Sequence, residues 1–201
     1  MAVTELNEAP EPKWRQWLQP WKIAVALVAL FLLVQTVLSW KDQDLITALD
    51  LSPAFAEPEF PLEFSRKIQY DPLTFVGRGA RAGFWDWTPE GLVLATSGRE
   101  YFHIEGDRIV SNTTAGRRRF SRFQARATQG SGERITFFYR WEEISPPAVA
   151  LLFPPPELGN EYLATAVVNR VGEGWELVSL EAPDYEEPLE HLQAVASGIL
   201  Q

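Results

Sequence analysis

Three patterns of apolar and polar positions follow one another along the chain. Residues 23–40, IAVALVALFLLVQTVLSW, carry no charged side chain, and Gln35, Thr36 and Ser39 are the only polar ones. At about 1.5 Å per residue such a run reaches roughly 27 Å as a helix, close to the ~30 Å hydrocarbon thickness of a bilayer. Each central Leu, Ile, Val or Phe favours insertion by roughly 0.3–0.6 kcal/mol, which together outweighs the few polar groups. A buried core helix is the alternative, but core helices rarely stay apolar on every face for this long.

From residue 62 the period shortens to two. Leu62-Glu63-Phe64-Ser65-Arg66-Lys67-Ile68-Gln69-Tyr70 mostly alternates, as a half-buried strand does. Further strands are expected near 73–77, 82–87, 91–96, 100–104, 119–128, 133–143, 161–169 and 174–181. Between them lie turn signals such as Asp71-Pro72, Gly77 to Gly79, Pro89-Glu90-Gly91, Gly106-Asp107, Gly130-Ser131-Gly132 and Gly172-Glu173-Gly174. Connections this short mean sequential antiparallel pairing, because parallel strands need crossovers of a dozen residues or more. The third pattern closes the chain: Leu189, Leu192, Val195, Ala196 and Ile199 recur at helical steps behind Asp184 and Glu187, whose spacing resembles a capping box. The expected fold is therefore α+β. A single N-terminal transmembrane helix precedes a mostly antiparallel β-sheet domain, open or barrel-like, with a C-terminal amphipathic helix across one face.

The segments divide accordingly. Residues 1–20 read as a cytoplasmic, partly disordered tail, 21–40 as the transmembrane helix, 41–61 as a Pro-rich connector, and 62–201 as an extracytoplasmic β-rich domain. The connector opens on a short helical extension with Leu45, Ile46 and Leu49, ended by Pro53, Pro58 and Pro61. Trp14, Trp17 and Trp21 share a helical face beside Lys13, Arg15 and Lys22. With Trp40 at the far end they form two interfacial aromatic belts, or alternatively a partner-binding stripe. Basic residues before the run outnumber the single Lys41 after it, which places the N-terminus in the cytoplasm of a single-pass protein of the cytoplasmic (inner) membrane and the domain in the periplasm or outside the cell. Ala54-Phe55-Ala56 has the form of a signal-peptide cleavage site, but it lies far beyond the apolar core, so an uncleaved anchor is expected.

Charge and composition narrow the chemistry. The net charge is −9, and the N-terminal forty residues are balanced, so the excess acid belongs to the outer domain; nucleic acid is not the expected partner. With no cysteine, disulfides, thiolate nucleophiles, Cys-based zinc sites and iron–sulfur clusters are excluded. His103 and His191 lack a second ligand at metal-like spacing, and no phosphate loop, dinucleotide fingerprint or nucleophile elbow occurs. No catalytic residue, metal or cofactor is therefore expected.

Two surfaces remain. Arg117, Arg118, Arg119, Arg122 and Arg126 run into one strand, and its hairpin partner carries Arg134 and Arg140. Alternation puts Arg122 with Arg126 and Arg134 with Arg140; meeting faces would gather four guanidinium groups for an acidic partner or lipid headgroup. The competing reading is a solvated face neutralised by the domain's own acids. The opposite face, Ile135, Phe137, Tyr139 and Trp141, is expected in the core. The second surface is 146–156, where Val149, Leu151, Leu152 and Phe153 sit between prolines and either plug the core or present an apolar docking knuckle. Phe84-Trp85-Asp86-Trp87 offers the same choice, with core packing favoured. Together these features point to a non-catalytic accessory or assembly subunit of a larger membrane complex, with the bilayer and other membrane proteins as partners. A carrier of lipid or another apolar ligand is the alternative, and an enzyme without a recognisable motif a weaker one.

Overall fold

The structure, a computed structural model, describes the backbone of residues 20–199 and, among these, the side chains of all but residues 20–24 and 31–41. It is α+β with mostly antiparallel sheets and no closed barrel. Trp14 and Trp17 lie outside the described residues, as do the side chains of Trp21 and Trp40. Helix α1 spans Pro20–Leu51, and among the described residues no helix is long and apolar enough to cross a membrane.

The folded unit begins at Asp44, inside α1. Leu45 and Leu49 are fully buried in its core, and so are Phe55 of the short helix α2 (Pro53–Ala56) and Phe60 beyond it. The stretch expected to be a connector is thus a packed part of the domain. Pro58 and Phe60 are tied by backbone hydrogen bonds to Ala115 and Thr113.

Three sheets build the unit. Strands β1 (Glu63–Ser65), β4 (Phe102–Glu105) and β5 (Arg108–Ser111) form one in the order β1-β5-β4, and β2 (Trp85–Thr88) and β3 (Gly91–Leu94) form a hairpin. The largest is a meander of β6 (Gly116–Gln129), β7 (Gly132–Ile144), β8 (Tyr162–Val171) and β9 (Gly174–Glu181) in sequence order. As expected, Ile135, Phe137, Tyr139 and Trp141 on β7 face the core, where Phe55 meets Phe137 and Tyr139 edge-on. Helix α5 (Pro183–Ala196) buries Leu189, Leu192 and Ala196 of the face read from the sequence, with Tyr185 added at its start, whereas Ile199 lies beyond the helix and is exposed. Its N-cap is Ala182, without a side-chain cap; Asp184 sits in the first turn, where a carboxylate meets the positive end of the helix dipole.

One expected strand is a helix. Residues 73–77 were assigned a strand with a turn at Gly77 to Gly79, whereas α3 runs Phe75–Arg81. The glycines serve approach rather than turning. A Cβ on Gly77 would come within 2.4 Å of Pro72, and one on Gly79 within 1.9 Å of the Trp85 indole. Trp85 fits against the helix because nothing projects there, and its Nε1–H donates to the Val76 carbonyl at 2.8 Å. Trp85 and Phe84 are core, while Trp87 stands exposed beside Tyr70.

Candidate functional site

The long β6–β7 hairpin decides where the arginines go. Strict alternation fails on β6 because Ser121 and Gln124 are extra residues, bulged out of register with β7. Each bulge resets the faces. Arg122 lies opposite Phe138, on the outer face, and Arg126 lies opposite Ile135, on the core side, so the two do not share a face as period two requires. The four guanidinium groups are not collected. Arg122 and Arg140 meet on Glu161, at 3.0 and 2.9 Å, and Ser121 donates to the same carboxylate. Arg119 pairs with Glu142, Arg117 approaches Glu143 and Glu57, Arg126 pairs with Glu133, and Arg134 stands 3.9 Å from Glu181. The Ser121 hydroxyl and the two guanidinium groups hold the Glu161 carboxyl down to about 2.

Arg118 behaves differently from its neighbours. It lies opposite Trp141 on β7, which turns it to the core face, and it is only 3% exposed. Its Nε donates to the Phe55 carbonyl at 2.8 Å and its Nη2 to the Ala54 carbonyl at 3.1 Å, which fastens α2 onto β6. The guanidinium carbon lies 5.1–5.5 Å from the ring centres of Tyr139, Phe55, Trp141 and Tyr185. Four π-faces and two carbonyls are what balance its charge; Nη1 has no hydrogen-bond partner among the described residues. Burial pulls the Arg118 pKa down, offset in part by Tyr139. A guanidinium still titrates far above neutrality, so the interior holds a cation with no carboxylate in ion-pair reach among the described residues. Burial likewise raises the Tyr139 hydroxyl, offset in part by Arg118, and its oxygen has no hydrogen-bond partner among the described residues.

Arg118 lines a cleft of ≈ 700 Å³. One wall is the segment from Pro53 and Ala54 to Glu57, Pro58 and Glu59, and the other is Leu177 to Leu180 of β9. The start of α5 closes it with Tyr185 and Glu186. The Tyr185 hydroxyl donates to the Glu59 carbonyl, which holds the helix start against the segment. Burial pushes that hydroxyl well above the usual tyrosine range. Among the described residues β9 pairs only with β8, so its other edge has no strand beside it.

The 146–156 loop divides between the two roles foreseen for it. It contains helix α4 (Pro146–Leu151), capped by Ser145, which accepts from the Ala148 amide. Leu151 and Leu152 plug the core; Val149 and Phe153 are exposed, at 51% and 72%. Phe153 borders a smaller hollow with Leu73, Arg78 and His191. His103 lies on β4, away from it, and no group of three or more acids or histidines that could hold a metal occurs among the described residues.

Sequence reasoning placed Arg118 among surface arginines because its run, Arg117-Arg118-Arg119, gives no sign of which member turns inward. Comparison of the chain with protein-family profiles, with curated proteins and with solved structures finds no match.

Proposed function

We propose that this chain is a non-catalytic accessory or assembly subunit of a larger membrane complex. It is anchored by one helix in the cytoplasmic membrane, with its N-terminus inside the cell and its β-rich domain outside. The observation that carries the reading is at the start of α1: all six residues 25–30 are exposed, and Val25, Leu27, Val28 and Leu30 are each more than half exposed. Apolar side chains bare on every side of a helix need a cover of lipid or of another protein's helices. The uncharged run through residue 40 extends the same character in sequence.

The domain offers surfaces for binding. Its interior is filled by interlocking aromatic rings. The surface arginines are neutralised by the domain's own carboxylates, so recognition is left to the exposed apolar positions and the cleft at Arg118.

Purification of the natively expressed, tagged protein in mild detergent, with mass spectrometry of what accompanies it, tests the reading. Stoichiometric membrane proteins are expected. A lone monomer, or a protein released from membranes by alkaline carbonate, would overturn it.

A further inference from the structure

We propose that the cleft beside Arg118 binds a single carboxylate carried on an apolar body. The site is independent of the accessory-subunit reading, because every residue it needs lies in the folded unit that begins at Asp44.

Four observations converge. The cleft volume, ≈ 700 Å³, falls within the range of sites for small ligands. Its walls mix apolar residues, Pro53, Ala54, Pro58, Leu177 and Leu180, with polar Thr114 and Ser179. The charged group at it is a buried guanidinium bonded to two carbonyl oxygens, with no carboxylate in ion-pair reach among the described residues. Nη2 spends one N–H on the Ala54 carbonyl, and its second has no hydrogen-bond partner among the described residues. Fastening α2 accounts for the two carbonyl bonds. It does not account for a cation kept at the side of a cleft with no carboxylate in ion-pair reach among the described residues, and a ligand carboxylate would supply one through a charge-assisted hydrogen bond.

The rim sets the ligand's charge. Glu57, Glu59 and Glu186 stand at the cleft and disfavour a second negative charge, so phosphates and other polyanions are excluded while one carboxylate, neutralised inside by Arg118, is accepted. Two sources share that chemistry: a small organic acid, or the free C-terminal end of a partner's chain.

The test uses the full chain in zwitterionic lipid nanodiscs, with empty nanodiscs as the blank, and calorimetric titration of 4-phenylbutyrate against its uncharged isostere 4-phenylbutanamide. Saturable binding of the acid, at least about tenfold tighter than the amide, is expected, and inorganic phosphate should not compete. Leu180→Trp fills the cleft from its half-buried wall. It should lower the affinity at least about tenfold with the unfolding temperature unchanged. Arg118→Gln should abolish the preference for the acid; if that variant does not fold, Leu180→Trp decides. An apolar tetrapeptide with a free C-terminus, set against the same peptide amidated, separates the sources. Binding of only the free peptide assigns a partner's chain end, binding of only phenylbutyrate a small acid, and both uphold the site. Equal binding of the charged and uncharged probes, an unchanged affinity in Leu180→Trp, or no binding by either acid would overturn it.

Discussion

Phe55→Ala tests whether the stretch after α1 is part of the domain or a linker leading to it. The ring is fully buried and lies 5.4 Å from Phe137 and 6.0 Å from Tyr139, with the Arg118 guanidinium 5.4 Å from its centre. A Phe buries roughly 150–250 Å², worth about 4–6 kcal/mol at 25 cal/mol/Å² as an upper bound. Measured Phe→Ala losses in cores run about 3–5 kcal/mol because the site collapses only in part. About 4 kcal/mol is therefore the expected loss, a large part of the roughly 5–15 kcal/mol available to a domain. In a unit of this size that lowers the melting temperature by about 8–16 °C, taking about 2–4 °C per kcal/mol. The assay is urea unfolding of the full chain in mild detergent, followed by tryptophan fluorescence. Leu51→Ala, four residues earlier and exposed, is the control and should change stability by no more than about 0.5 kcal/mol. A loss below about 1 kcal/mol for Phe55→Ala, equal to the control, would refute the placement of this segment in the core.

Three further outcomes are expected. The Glu161 carboxyl is held down to about 2 in the folded chain against an ordinary 4.5, so its contribution to stability is fully present above about pH 4.5 and is lost as pH falls through about 2; carboxyl-carbon NMR titration should find the low value, and Glu161→Gln should flatten the pH dependence in that window. Gly79→Ala drives a methyl into the Trp85 ring and should cost about 1–3 kcal/mol or more by chemical denaturation, whereas Gly106→Ala, with nothing within 4 Å but a positive φ of 59°, should cost only the roughly 1–2 kcal/mol of left-handed backbone. Leu151→Ala should cost about 2–5 kcal/mol in the same measurement and Phe153→Ser about 0.5 kcal/mol or less, since one plugs the core and the other stands outside it.

The alternation of Ile135, Phe137, Tyr139 and Trp141 determined by itself that β7 is a strand with one buried face, because a period of two has a single structural reading. The helical steps of Leu189 and Leu192 did the same for α5. Antiparallel pairing also followed from the short loops, but its sequential order did not hold throughout: β1 pairs with β5 across the β2–β3 hairpin and β4. Strand β5 falls outside every expected strand although β2, β3 and β4 are equally short, because Arg108-Ile109-Val110-Ser111 does not alternate. Where identity depends on a distant neighbour, pattern was silent. Gly77 and Gly79 look like a turn until Pro72 and the Trp85 ring are seen to need their missing side chains. Prolines at 53, 58 and 61 look like a linker until Phe55 and Phe60 are found against the large sheet and Thr113. The bulges at Ser121 and Gln124 shift the register by single residues, and with it the face of every arginine that follows. Which of three consecutive arginines enters an aromatic cage was therefore decided only by tertiary structure, because burial of a charge depends on carbonyls, rings and a cleft supplied by segments more than sixty residues away.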